Sequence, residues 1–466
     1  MPSDMPSPLT ALKELNFLKV TQIKTDPESL KYYGRDWTTY FDIKASAILF
    51  PHSATEVQKI VLWARSHKIS LVPSGGRTGL SGAAVATNNE VVISFDQMNQ
   101  ILEFNEVDQV VTIQPGVVTE ALQKYAHDRG LYYPVDFAAR GSSQMGGNIA
   151  TNAGGIKVVR YGLTREWVAG LKVVTGAGEI LDLNRSLVKN ATGLDLRHLF
   201  IGSEGILGFI VEAQIRLTQT PPPLQVLIMG VSELASVMKV FSEFKKKSTL
   251  VAFEMFSEKA LAKVIESTGL PRPFATATEF YILAEVEMKS EAEQNQVLEI
   301  FETCLEQGLV LDGAMSQSEN QAKNFWRLRE DISESLAKYS PYKNDVSVAI
   351  SKVPAFMQAL DQILVSSYPT WDVIWFGHIG DGNLHINILR PAGMSKEEFV
   401  KECRAVDLLI FEAVRTQGGS ISAEHGVGLT KKSFLTYSRS PEEIELMRGI
   451  KKVFDPDGIL NPGKVI

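Results

Sequence analysis

Apolar positions along the chain change between two periods, which predicts short strands interleaved with helices. Residues 91–94 and 110–113 form apolar runs of strand length, whereas residues 54–66 and the N-terminal stretch 10–20 repeat apolar side chains at helical spacing. Gly and Pro separate these segments. The pattern predicts an α+β fold.

The run Pro221-Pro222-Pro223 predicts a domain boundary, because it cannot continue a helix or a central strand. Beyond it, helical spacing at 233–246 and 291–306 alternates with strand-like runs, which predicts an antiparallel sheet covered by helices. The strand-like runs are 224–230, 250–255, 280–287 and 309–314. We expect a first domain at 1–220, a second at 221–415, and a closing segment at 416–466 that returns to the first.

Residues 376–388, FGHIGDGNLHINI, predict a β-hairpin. With Asp381-Gly382 in a type I′ turn, His378 would face His385 with Cβ atoms about 4.5–5.5 Å apart, and Asn387 would point the same way. Two imidazoles need a further ligand to hold a divalent ion, and Glu424 in SAEHGVG is the candidate.

The alternative for this pair is a packed or solvated cross-strand contact without a metal. Only seven histidines occur in the chain, and His378, His385 and His425 fall in two Gly-rich segments. This clustering favours the metal site.

Three Gly-rich segments predict a site for one elongated ligand. They are PSGGRTGLSG, GSSQMGGNIATNAGG at 141–155, and GSEGILG, and their glycines and small polar side chains suit a bound diphosphate or flavin edge. The first segment leads into another strand rather than opening a helix, so it is not a Rossmann fingerprint, and it lacks the GK[ST] end of a P-loop. One such segment alone would equally fit a plain tight turn.

Composition excludes several classes of function. A formal charge of −7 without a long basic run argues against nucleic-acid binding. Cys304 and Cys403 are too few for an iron–sulfur centre, and we expect both to be buried, reduced thiols. The N-terminal sequence lacks a signal-peptide pattern and no apolar run is long enough to span a bilayer, so we expect a cytoplasmic protein, with peripheral membrane docking left open.

The three Gly-rich segments together with GHIGDGNLHIN, AEHGVG and the terminal LNPGK resemble flavoproteins that join a vanillyl-alcohol-oxidase or PCMH-type FAD domain to a D-2-hydroxy-acid dehydrogenase cap. The resemblance covers nearly the whole chain. Within this family, LREDISESLAKYSPYKNDVSV is more similar to D-2-hydroxyglutarate dehydrogenases than to D-lactate or glycolate enzymes.

The resemblance implies a substrate site for a dicarboxylic acid. Arg329 would hold the α-carboxylate and Lys343 the distal carboxylate, residue types that suit a bidentate clamp and a point charge. Ser333, one helical turn after Arg329, would donate a hydroxyl. Ser333 stands where relatives commonly have Thr, and Ala349 where many have Pro.

The resemblance also implies a mechanism. The metal, held by His378, His385 and Glu424, would bind the carboxylate and 2-hydroxyl, His425 would take the hydroxyl proton, and hydride would pass from the α-carbon to FAD, with Asn387 orienting the substrate. Relatives with covalent flavin often have His in the first Gly-rich segment where this chain has Arg77, which implies non-covalent FAD. The implied FAD-binding residues are Pro73, Ser74, Gly75, Gly76, Arg77, Thr78, Gly79, Gly82, Ser142, Gly146, Gly147, Asn148, Thr151, Asn152, Gly154, Gly155, Glu204, Gly205, Ile210 and Asn461.

Several points stay open in the sequence. The metal is expected to be zinc, with manganese or cobalt as alternatives. No NAD signature is visible, so the electron acceptor is expected to be an electron-transfer flavoprotein or a quinone, and a homodimer is one possible assembly. The competing functions are D-lactate or glycolate dehydrogenase and, more remotely, a flavin-free metal hydrolase.

Overall fold

The computed structural model describes residues 8–38 and 40–466; residues 1–7, which include part of the N-terminal sequence considered above, lie outside the described part. The strands are β1 Ile23–Lys24, β2 Ala47–Leu49, β3 Leu71–Ser74, β4 Val91–Ser94, β5 Ile101–Asn105, β6 Val110–Ile113, β7 Leu131–Tyr132, β8 Val168–Thr175, β9 Ile180–Leu183, β10 Gly208–Arg216, β11 Thr218–Gln219, β12 Leu224–Val231, β13 Leu250–Ser257, β14 Phe280–Glu287, β15 Asp312–Met315, β16 Tyr342–Ser347, β17 Val373–Gly377 and β18 Asn383–Ile388. The helices are α1 Pro8–Ala11, α2 Pro27–Tyr33, α3 Ala54–His67, α4 Thr119–His127, α5 Met145–Thr151, α6 Val158–Tyr161, α7 Thr164–Trp167, α8 Arg197–Phe200, α9 Leu234–Lys247, α10 Glu258–Thr268, α11 Glu291–Glu306, α12 Glu319–Glu330, α13 Ile332–Ser335, α14 Val353–Ser367, α15 Lys396–Thr416 and α16 Pro441–Phe454.

The chain divides into two compact units. The first contains Met1–Gly154, Leu163–Thr220 and Glu424–Ile466, and the second contains Gly155–Gly162 and Pro221–Ala423. The triproline run therefore lies at a division between the units. Residues 155–162, which the sequence assigned to the first domain, fall in the second unit.

The first unit has two main sheets. One has the order β1-β2-β4-β3 with β2, β4 and β3 parallel, and the other has the order β5-β6-β10-β8-β9 and is antiparallel. Helix α3 forms as its sequence predicts: Ser53 caps its first turn by accepting from the Glu56 N–H, and most of its apolar side chains are buried, Leu62 being the exposed exception. Its inward face packs in one core with β2, β3 and β4.

The second unit contains one antiparallel sheet of seven strands, in the order β15-β12-β14-β13-β17-β18-β16. The long helices α9, α11, α14 and α15 each bury an apolar stripe. The predicted antiparallel sheet with helices against it is confirmed.

Two predicted elements were wrong. The N-terminal stretch 10–20 is not a continuous helix, because α1 ends at Ala11 and only short 3₁₀ turns follow. The strand predicted at 309–314 begins later, at Asp312, because Leu309 and Val310 return their N–H groups to the carbonyl of Cys304 and so close the end of α11.

Candidate functional site

The three Gly-rich segments meet around a cleft in the first unit. The cleft has about 650 Å³ of empty space, part of it open to solvent. A Cβ on Gly76 would lie 2.2 Å from the carbonyl oxygen of Ser142, and one on Gly205 would lie 2.6 Å from the Pro73 ring, so the segments touch one another at their glycines. Of the predicted cofactor residues, those that line the cleft are Pro73, Gly75, Gly146, Gly147, Thr151, Glu204, Gly205 and Ile210.

Several buried polar atoms at or near the cleft form no hydrogen bond with the described residues. Among the described residues, the buried Oε1 of Gln144, which lines the cleft, has no hydrogen-bond partner, and neither do Ser74 Oγ and Asn461 Oδ1, which lie behind the lining. Asn461 is fully buried, and its Nδ2 donates to the carbonyls of Ala83 and Glu204, which fixes the free oxygen in place. Unpaired buried polar atoms are costly unless a ligand satisfies them, so this set fits a polar cofactor.

The centre of the second Gly-rich segment forms helix α5. At Gly146 this helix packs closely against Pro115. The Gly146 N–H donates to the Pro115 carbonyl at 2.7 Å, and a Cβ on Gly146 would lie 2.5 Å from the Pro115 Cβ. Glycine is therefore needed for packing as well as for access to the cleft. The sequence pattern did not distinguish these two roles.

Several other predicted cofactor residues hold protein groups. Arg77 pairs with Asp96 at 3.2 Å and lies over the rings of Tyr32 and Tyr33. The Asn148 amide donates to Thr119 Oγ1 at 2.7 Å, and Asn152 Oδ1 accepts from the Arg165 N–H at 3.0 Å. The predicted residues that do not line the cleft are Ser74, Gly76, Arg77, Thr78, Gly79, Gly82, Ser142, Asn148, Asn152, Gly154, Gly155 and Asn461.

Glu204 joins the third Gly-rich segment to the AEHGVG corner. Its carboxylate accepts from the N–H groups of Val427 at 2.7 Å and Gly428 at 2.9 Å. Burial raises the pKa of Glu204 to about 7, although the two N–H donors act in the opposite direction. Glu204 therefore fixes the backbone that follows Glu424 and His425. Nε2 of His425 lies 3.5 Å from Oε1 of Glu424.

The hairpin of the second unit differs from the prediction in its register. His385 pairs with Phe376 and not with His378, because residues 379–381 form a 3₁₀ turn and Gly382 closes the loop at φ +86° against the carbonyl of Val348. The shift is by two residues, so the alternation of faces is kept. The rings of His378 and His385 still meet, with centroids 5.3 Å apart.

A buried carboxylate on the neighbouring strand contacts two of the predicted site residues. Strand β13 pairs Met255 with Gly377, and this register continued by one residue brings Glu254 opposite His378. Glu254 Oε1 lies 2.8 Å from His378 Nδ1, and its Oε2 lies 2.7 Å from an Nη of Arg329. The Arg329 guanidinium also lies over the Phe376 ring, 4.8 Å from its centroid.

His378, His385 and Glu424 form a group that could hold a metal ion. One ligand atom from each of the three lies within 4.8 Å of the others. Asp345 Oδ1 lies 3.7 Å from His385 Nδ1 and accepts from the Asn383 amide at 2.8 Å. Two imidazoles and a carboxylate are a donor set that suits zinc and leaves room for substrate.

The predicted substrate residues lie in different settings. Lys343 in β16 pairs with Asn387 in β18; the residue reaches the surface, but protein atoms crowd around its amine, and this partial loss of hydration lowers its pKa, with no acidic group contributing. Asn387 is buried, and its Oδ1 has no hydrogen-bond partner among the described residues. The expectation that Ser333 continues the helix of Arg329 was wrong, because α12 ends at Glu330 and Ser333 lies in the separate turn α13.

Sequence reasoning missed both structural partners and cleft residues. Glu254 and Asp345 lie in ordinary strand patterns, and only strand pairing brings them to the histidines. Three missed cleft residues lie within the Gly-rich segments themselves: Ser203 and Gly208 in the third, and Gln144 in the second. The cleft residues that had not been predicted are Ala83, Ala84, Phe95, Pro115, Gln144, Ala150, Ser203, Gly208 and Phe209.

Comparison with known proteins defines the class first. A family model described as an FAD binding domain matches residues 45–184, and one described as the C-terminal domain of FAD linked oxidases matches residues 220–465. The protein is thus an enzyme of the flavin-dependent oxidoreductases.

Curated relatives then give the family. Proteins named D-2-hydroxyglutarate dehydrogenase are 59% identical in Stutzerimonas stutzeri, over 95% of this chain and 96% of the relative, and 54% identical in Xanthomonas citri, over 95% and 94%. A mitochondrial protein of that name from Bos taurus is 37% identical over 96% of this chain and 81% of its own length. The chain belongs to this family of FAD-linked oxidoreductases, which confirms the resemblance found in the sequence.

Solved structures show the same fold at low identity. 4-Ethylphenol oxidase from Gulosibacter chungangensis matches with a TM-score of 0.76 and 17% identity, covering 98% of this chain and 96% of that one. p-Cresol methylhydroxylase matches with a TM-score of 0.76 and 15% identity over the same shares. The predicted α+β fold of the vanillyl-alcohol-oxidase and PCMH type is confirmed. No helix in the described part of the chain has the length and hydropathy needed to cross a membrane.

Proposed function

We propose that the protein is an FAD- and metal-dependent dehydrogenase that oxidises D-2-hydroxyglutarate to 2-oxoglutarate. The observation that carries this proposal is the pair of cationic side chains in the second unit. Arg329 is buried with its Nε unpaired among the described residues, and Lys343 is exposed with no carboxylate within 4 Å there. Two cations in the same unit suit a substrate with two carboxylates. The names of the relatives that share 59% and 54% identity agree.

The proposed roles follow from what each group can do. Arg329 binds the α-carboxylate, Lys343 the distal carboxylate, and the Asn387 amide orients the substrate through its unpaired oxygen. His425 accepts the proton of the 2-hydroxyl, since a neutral imidazole is a general base near neutral pH. Ser333 stays a proposed hydroxyl donor.

The cofactors supply the rest of the chemistry. Bound FAD would accept the hydride from the α-carbon, and a divalent ion on His378, His385 and Glu424, proposed to be zinc, would polarise the 2-hydroxyl. We propose that FAD is bound non-covalently. In the first Gly-rich segment, relatives with covalent flavin often have His where this chain has Arg77, and Arg77 is paired with Asp96. The electron acceptor is proposed to be an electron-transfer flavoprotein or a quinone.

The test is anaerobic mixing of the purified enzyme with D- and L-2-hydroxy acids while flavin absorbance is followed, with and without a chelator. D-2-hydroxyglutarate is expected to bleach the flavin fastest, and chelation is expected to abolish the bleaching. Faster bleaching by D-lactate or glycolate would move the assignment to the monocarboxylate enzymes. A colourless protein that hydrolyses esters or amides would favour the metal hydrolase.

Lys343→Met separates the two dehydrogenase assignments. Loss of a charged hydrogen bond of about 1.5–3 kcal/mol would lower kcat/KM for D-2-hydroxyglutarate by roughly 10- to 150-fold and leave D-lactate unchanged. Lys401→Met, at an exposed position of α15, is the matched control and should change neither. An unaltered kcat/KM for D-2-hydroxyglutarate in Lys343→Met would contradict the assigned role.

A further inference from the structure

Glu254 lies between a proposed metal ligand and the proposed carboxylate clamp. Its side chain is 1% exposed, its Oε1 is 2.8 Å from His378 Nδ1, and its Oε2 is 2.7 Å from Arg329. Two separate residues of the site therefore share one buried carboxylate.

The contact with His378 fixes which ring nitrogen can bind a metal. Because Glu254 also lies in an ion pair with Arg329, its carboxylate serves as the acceptor, which assigns the hydrogen of this contact to Nδ1 of His378. In that tautomer Nε2 is the ring nitrogen that carries the lone pair, and the 2.8 Å contact restrains the orientation of the ring. Partners of this kind set the tautomer and orientation of metal-binding histidines in many proteins.

The contact with Arg329 has a different consequence. Arg329 is buried, and without Glu254 its charge would lack this ion pair in a medium of low polarity. The contact of its Nη2 with Glu254 is an ion pair without hydrogen-bond geometry, and its Nε has no hydrogen-bond partner among the described residues, so a donor at Nε remains for another carboxylate. Glu254 can hold the guanidinium in place while that donor stays available.

We infer that Glu254 is a positioning residue that couples the metal site to the substrate-carboxylate site by orienting His378 and Arg329 together. The inference rests on the proposed function. It does not extend to Asp345, whose oxygen is 3.7 Å from His385 Nδ1, beyond hydrogen-bond distance.

The test measures two affinities of the flavin-loaded enzyme after its metal has been removed. Zn²⁺ affinity is measured by competition with a chromophoric chelator, and the binding of 2-oxoglutarate to the metal-free form by the change in the flavin spectrum. Glu254→Gln is expected to weaken Zn²⁺ binding roughly 10- to 100-fold and to weaken 2-oxoglutarate binding as well. The absorption bands of the Co²⁺-loaded enzyme are expected to shift.

Two controls distinguish positioning from general damage. Glu285→Gln removes a buried acid on strand β14 that pairs with Trp326 and Lys157, so it should leave the Zn²⁺ affinity and Co²⁺ bands unchanged. Asp345→Asn should leave 2-oxoglutarate binding to the metal-free form unchanged. If Glu254→Gln does not fold, Glu254→Asp decides, because a side chain one methylene shorter keeps the charge but cannot reach both partners as Glu does; it is expected to weaken Zn²⁺ binding at least tenfold.

Wild-type values of either affinity in the folded Glu254 variant would overturn the coupling. If the wild-type enzyme is bleached by D-2-hydroxyglutarate and binds Zn²⁺, such a result rejects only the role of Glu254. If the wild-type enzyme binds no metal, both the metal-dependent function and the role of Glu254 are rejected.

Discussion

Gly147→Ala tests whether FAD lies along helix α5. Gly147 is in the helix, is exposed and lines the cleft, and a Cβ added there would meet no described atom within 4 Å. In the apoprotein, alanine in a helix is better than glycine by about 0.5–1 kcal/mol. This corresponds to a rise in the thermal midpoint of roughly 1–4 °C.

With FAD bound, the same methyl group would enter the space proposed for the cofactor. Overpacking costs about 1–3 kcal/mol, which would weaken FAD binding by roughly 5- to 150-fold. The assay is thermal unfolding of the apoprotein together with a fluorescence titration by FAD. Gly146→Ala is the matched variant: its Cβ would lie 2.5 Å from that of Pro115, so it should destabilise the apoprotein itself. Normal FAD affinity in Gly147→Ala would refute the placement of the cofactor over this helix.

Three further predictions concern ionisation and metal removal. Because burial raises the pKa of Glu204 from 4.5 to about 7, the folded state holds this proton more tightly than the unfolded state, so the free energy of unfolding should fall as pH rises between these values. Glu204→Gln should reduce that fall, which urea unfolding from pH 5 to 8 measures; equal pH dependence in the variant and the wild type would contradict the prediction. Burial raises the pKa of Cys304 to about 11 and that of Cys403 to about 12, so neither thiol should react with a disulfide reagent at pH 8 until the protein unfolds, when two should; fast reaction of the native protein would be inconsistent with this burial. His385→Ala should lose bound metal and substrate-driven bleaching while retaining FAD, because the cleft residues all belong to the first unit; metal analysis and flavin absorbance check this, and full metal content in the variant would argue against the ligand set.

The sequence predicted those parts of the fold in which burial and periodicity coincide. Strands such as Val91–Ser94 and Val110–Ile113 have their predicted bounds because their apolar runs are mostly buried. The stretch 10–20 failed because its apolar spacing serves short turns that pack on the core of α3, and helical spacing alone does not specify a continuous helix.

The candidate site was predictable where motif chemistry is local and unpredictable where strand pairing decides. The glycines and the His–Glu group are each visible as motifs; the Gly-rich segments contact one another, and His378, His385 and Glu424 form one group. Glu254 precedes His378 by 124 residues along the chain, and nothing around it in the sequence indicates its contact. Phe95 and Pro115 enter the cleft from ordinary connections, so no pattern identifies them either.

The histidine pair shows why a wrong register still gave the right neighbours. The turn predicted from Asp381-Gly382 would have placed His378 opposite His385, but the 3₁₀ turn moves the pairing by two residues. A shift of one residue would have sent one ring to the other face of the sheet, whereas a shift of two preserves the face. His378 then lies beyond the end of β17, where the extension of the β13 register supplies Glu254 as its partner. The longer turn therefore moves the two histidines out of direct cross-strand pairing and leaves His378 beside the carboxylate of Glu254.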